Sequence, residues 1–125
     1  MKNTSFLLKD VLLFVEIASM LRLREYQQSV ATSIVDSVYK RKGLTFVVMF
    51  PRQSGKNELQ AQIETYLLLL MSEMGAEIVK VSPTWKPQSQ NAMRRLENVL
   101  SKNTLTRSMW KKESGYIYRI DTARV

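Results

Sequence analysis

Gly55 and Lys56 stand between an apolar run and a long helical pattern, and residues of these types at such a junction can hold phosphate. The run is Leu44-Thr45-Phe46-Val47-Val48-Met49-Phe50, and the loop is Pro51-Arg52-Gln53-Ser54-Gly55-Lys56-Asn57. The first backbone N–H groups of a helix lack partners within it, so they and the helix dipole favour an incoming anion. Gly55 permits a turn that a side chain would obstruct. Lys56 supplies a point charge for β- and γ-phosphate oxygens. The full phosphate-loop pattern is G-x-x-x-x-G-K-[S/T]. Here Phe50 stands where the first glycine would be and Asn57 where the hydroxyl residue would be, so the match by spacing is degenerate. The Asn57 amide oxygen can ligate Mg²⁺, less naturally than a hydroxyl. The alternative is a strand-to-helix turn whose lysine and arginine merely solubilise it.

Tyr26 and Gln27 are a second candidate pair, at the front of a helix that precedes the loop. A glutamine amide offers both a donor and an acceptor to the edge of adenine. The competing reading makes Tyr26 partly core and Gln27 surface.

The elements that would position these residues follow from periodicity. Residues 6–23 form an amphipathic helix interrupted by Lys9, Asp10 and Glu16. Its longest uninterrupted apolar stretch, Val11 to Val15, is far too short to span a membrane. Val30, Ile34 and Val38 recur at helical spacing, and Lys40-Arg41-Lys42-Gly43 supplies a stop. Residues 44–50 read as a strand, Glu58 to Met74 as a helix apolar almost all round at Leu67–Met71, and Glu77–Val81 as a second strand. Strand, helix and strand in that order predict a βαβ unit with a parallel sheet. The polar loop Ser82 to Gln90 follows at a strand's carboxyl end, where ligands bind in such sheets. Trp85 in that loop is a stacking candidate or a half-buried plug. Asn91 to Leu100 repeats Met93, Leu96, Val99 and Leu100 on one face, residues 101–114 read as loop or short helix, and 116–121 alternate as a strand.

Composition narrows the chemistry. The chain has 125 residues, 45% of them hydrophobic, which suffices for one domain with a core. It has no cysteine and no histidine, which removes disulfides, thiolate and imidazole catalysis, and the common zinc sites. The net charge of +8 is uneven: residues 1–79 hold nine Lys/Arg against eight Asp/Glu, while 80–125 hold ten against three. A basic C-terminal part suggests a polyanion, nucleic acid before membrane, against the plainer reading of a solvated basic face.

Three stretches together carry a family resemblance. Leu23-Arg24-Glu25-Tyr26-Gln27, then Pro51-Arg52-Gln53-Ser54-Gly55-Lys56-Asn57-Glu58, then Val81-Ser82-Pro83-Thr84-Trp85-Lys86-Pro87-Gln88-Ser89 resemble, in order, motifs of the large subunit of tailed-phage terminases. That family's phosphate loop is itself deviant, with Arg-Gln ahead of a small residue and Gly-Lys. Asn57 departs from the usual Ser or Thr, which weakens the metal-contact role.

The resemblance implies an α/β fold with a P-loop NTPase-type parallel sheet flanked by helices. Residues 1–22 would form an N-terminal amphipathic helix and 23–125 a partial ATPase domain. It implies that ATP and Mg²⁺ bind, that Lys56 meets the β/γ-phosphates, and that the backbone of Gln53, Ser54, Gly55, Lys56 and Asn57 cradles them. Arg52 would be an internal arginine finger, and Tyr26 and Gln27 would meet adenine. Implied partners are double-stranded DNA, a portal, a small terminase subunit and further copies in a ring, within the cytoplasm of a bacterial host.

The acidic strand of such a motor, four apolar residues followed by Asp-Glu, does not occur: the carboxylates after Gly75 are Glu77, Glu97, Glu113 and Asp121. A nuclease carboxylate cluster is absent too. The expectation is thus an N-terminal, incomplete portion that does not turn ATP over alone. Two alternatives are the front of a superfamily 2 helicase-like motor, which the Arg-Gln preceding Ser-Gly-Lys disfavours, and a small basic DNA-binding protein with an incidental Gly-Lys turn.

Overall fold

The computed structural model describes residues 10–50, 56–72, 75–81, 90–113, 117–120 and 123–125. Among the described residues, four helices pack around one apolar centre: α1 (Val11–Ala18), α2 (Glu25–Tyr39), α3 (Lys56–Leu70) and α4 (Gln90–Lys102). A C-terminal sheet follows, made of β1 (Trp110–Glu113), β2 (Ile117–Ile120) and β3 (Ala123–Arg124). None of the described helices is long and apolar enough to cross a membrane.

Helix α3 is the hub. It packs against all three other helices and against β2 and β3. Leu59, Ala61 through Tyr66, Leu68 and Leu69 are all buried, which accounts for an apolar pattern with no clean polar face. α1 begins where the Asp10 carboxylate accepts the Leu12 N–H at 2.9 Å, an N-cap. It buries Val11, Phe14, Val15 and Ala18, the spacing of a single helical stripe. α2 is held at its start by Gln27, whose Oε1 accepts the Arg24 backbone N–H at 2.8 Å. It ends in a turn with Arg41 and Gly43 at positive φ, and there glycine removes the strain that a Cβ would carry.

A polar chain knits the helices together. Asn103, fully buried, donates to Ser19 Oγ at 2.7 Å, and Ser19 donates to Gln62 Oε1 at 2.8 Å. Gln62 donates to Glu58 at 3.0 Å, and Glu58 pairs with Arg95 at 3.1 Å. The Asn103 Oδ1 also accepts the N–H groups of Leu105 and Thr106, so it closes the end of α4. No buried side-chain polar atom among the described residues lacks a partner, as burial of such groups requires.

The sheet differs from the expected one. β1, β2 and β3 pair antiparallel in sequence order, Trp110 opposite Ile120 and Arg119 opposite Arg124. The one parallel contact of the 77–81 segment is a bridge between Glu77 and Arg124, with Ile78 N–H on the Arg124 carbonyl at 2.8 Å. Residues 44–50 form no strand, and no pairing joins them to 77–81 among the described residues. Both segments nevertheless leave large apolar side chains in solvent, Val47 and Met49 in the first and Val79 and Val81 in the second. In 77–81, Ile78 and Lys80 are half-buried between exposed neighbours, the two-residue period of extended chain lying on a helical layer.

Candidate phosphate site at the start of α3

Lys56 is the first residue of α3, and both it and Asn57 are exposed. The helix runs fifteen residues to Leu70, long enough to aim an ordered row of N–H groups at its N-terminal end. Lys56 forms no ion pair among the described residues. The nearest carboxylate in sequence, Glu58, is half-buried and engaged by Arg95 and Gln62, so its charge is already countered. An exposed, uncountered ammonium at a helix N-terminus suits an anion. Arg52, Gln53, Ser54 and Gly55 lie outside the described residues, as does the Ser82–Ser89 loop with Trp85.

Tyr26 packs on Phe50, the last described residue before 51–55. Its ring meets Phe50 edge-on, centroids 5.0 Å apart at 90°, and its hydroxyl accepts from Arg24 Nη1 at 2.9 Å. The structure thus brings one of the two proposed adenine contacts to the residue just before Pro51. Gln27 has a different setting: it is 5% exposed, and its amide oxygen is committed to capping α2. Its burial and its bond to Arg24 account for its position without a ligand.

A divalent cation needs several oxygen donors. Among the described residues no three acidic, His or Cys side chains converge to hold one. Asn57, exposed beside the loop, carries one amide oxygen.

Glu64 of α3 forms a buried ion pair that sequence reasoning did not anticipate. Lys80 Nζ lies 3.1 Å from Glu64 Oε2, with side chains 14% and 7% exposed. Burial pushes the Glu64 carboxyl above its ordinary range, and Lys80 and Gln60 pull it part of the way back. The pair joins α3 to the 77–81 segment.

Compared with protein-family models, with curated proteins and with solved structures, the chain matches none.

Proposed function

We propose that the start of α3, with the loop before it, binds the phosphates of a nucleotide, and that the chain is the N-terminal ATPase portion of a terminase-like DNA-packaging motor. The observation that carries this reading is Lys56: exposed, without an ion pair among the described residues, and first in a long helix that follows a Gly-containing loop. In this reading ATP is the ligand, Lys56 neutralises its β- and γ-phosphates, and the backbone of Gln53 to Asn57 donates to them. Arg52 would place positive charge on the transferring phosphoryl group, the electrostatic work that dominates such transfer. Tyr26 would border the base. Mg²⁺, when bound with ATP, would offset phosphate charge.

The proposed α/β layering draws on 77–81, where Ile78 packs on the core and Val79 and Val81 are bare, and on the end of 44–50, where Phe50 packs on the core and Val47 and Met49 are bare. Double-stranded DNA, a portal, a small subunit and a ring of copies are the partners this reading carries, in a bacterial cytoplasm. Without an acidic strand, the chain binds nucleotide and does not hydrolyse it.

Thermal unfolding with and without ATP tests the proposal. Ligand at a hundredfold excess over its Kd stabilises the folded state by about 2.7 kcal/mol, so ATP raises the Tm of the wild-type chain by several degrees. Lys56→Ala loses that rise. Equal protection of both chains by ATP would end the assignment.

A further inference from the structure

We infer that the solvent face of α4, continued by the turn after it, is a docking surface for the phosphate backbone of duplex nucleic acid. The inference uses no residue of the proposed nucleotide site and stands or falls separately from it.

Met93, Leu96, Val99 and Leu100 turn one side of α4 into the core. At 100° per residue the opposite side carries Arg94, Arg95, Asn98, Ser101 and Lys102, all exposed. Arg107 is exposed in the turn that follows. Between Gln90 and Lys112 there are six Lys/Arg and one carboxylate, Glu97. Glu97 is half-buried and accepts from the Tyr118 hydroxyl at 3.4 Å. It forms no ion pair with the cations of the outer face among the described residues.

The chain does pair its surface cations elsewhere. On α2, Asp36 holds Lys40 at 3.0 Å and Lys42 at 2.9 Å, the pattern of an ordinary solvated face. On α4 only Arg95 is paired, with Glu58, whereas Arg94, Lys102 and Arg107 have no ion pair among the described residues. Cations left unpaired and gathered on one face create a field that attracts a polyanion.

The residues between them select which polyanion. Asn98 and Ser101 separate the charges, so the helix has no apolar wedge for a lipid surface. Met109 is the nearest exposed apolar side chain by sequence, and a single methionine anchors nothing. Single strands are bound by exposed aromatic rings on which bases stack, and this face has none among the described residues. Trp110 is half-buried, with its ring against Tyr118 at 5.6 Å. What remains is phosphate contact without base readout. Arg94 and Lys102 are eight residues apart, about 12 Å along the helix, comparable with a major groove about 12 Å wide.

The test is binding of the full chain to a short random-sequence duplex over a range of salt. Each phosphate contact contributes about −0.9 to the slope of log K against log salt, so these cations predict a slope of about −3. The triple variant R94Q/K102Q/R107Q spares Arg95 and its partner Glu58. It is expected to bind at least tenfold more weakly at low salt, with a slope near zero and an unchanged Tm. Lys56→Ala is expected to bind duplex as wild type does. Unchanged affinity and slope in the triple variant would overturn the inference. So would binding to vesicles of anionic lipid, or to single strands, that is as tight as binding to duplex and equally lost in the triple variant.

Discussion

Phe14→Ala is expected to remove about 4 kcal/mol of stability, the range for deleting a fully buried aromatic ring. Phe14 is fully buried, and its ring meets Tyr66 of α3 edge-on, with centroids 5.3 Å apart at 74°. The loss combines three effects: apolar area returned to water, a cavity beside the hub helix, and a lost aromatic pair. Domains hold only about 5–15 kcal/mol in total, so this substitution alone brings the chain close to unfolding. Urea denaturation would register it as a lower midpoint with an unchanged slope. A change below about 1 kcal/mol would mean that α1 does not dock on α3.

The second large effect is Lys80→Met, expected to cost about 3 kcal/mol at neutral pH because it leaves the Glu64 carboxylate buried without its cation. The cost depends on pH, and its sign follows from burial. Glu64 is held above its ordinary value of 4.5 mainly by desolvation. A carboxyl raised in the folded state contributes stability that is full below the unfolded pKa and is lost as pH rises through the folded pKa. Removing Lys80 takes away a lowering influence, so the folded pKa climbs and that window reaches further toward neutrality. The deficit of the variant therefore shrinks as pH falls from neutral into the raised range of the Glu64 carboxyl, where it takes up a proton. Adding Glu64→Gln to Lys80→Met should recover most of the loss at neutral pH. Denaturation at neutral pH and in that raised range reads this directly. A deficit that does not change with pH, or a double variant no better than the single one, would mean that the ion pair does not govern the packing of 77–81 on α3.

The helices were largely legible in the residues. Val30 and Ile34 trace α2, though Val38 of the same stripe is exposed, and Met93, Leu96, Val99 and Leu100 trace the inner face of α4. The apolar crowding of Leu67 to Leu70 foretold a hub buried on several sides. Strand pairing was not legible, because a run such as Phe46-Val47-Val48 states a preference for extended chain and says nothing of its partner. β1 was hidden by Lys111 and Lys112, two exposed lysines in a four-residue strand that reads as polar loop. At the candidate site, the position of Lys56 at a helix start follows from Gly55 and the periodicity after it. The role of Gln27 does not follow in the same way: a capping glutamine three residues into a helix and a base-reading glutamine are the same letter. The Glu64–Lys80 pair spans sixteen positions with no periodic signal to connect them.

The most direct test of the central claim is to follow the backbone amides of the labelled chain by NMR. ATP and inorganic tripolyphosphate would be titrated separately, with adenosine as the control without phosphate. The Lys56 and Asn57 amides are expected to move with ATP and with tripolyphosphate and to stay still with adenosine. If those two amides do not respond to ATP, or if ATP shifts only the basic face of α4, the start of α3 is a helix terminus and no phosphate site.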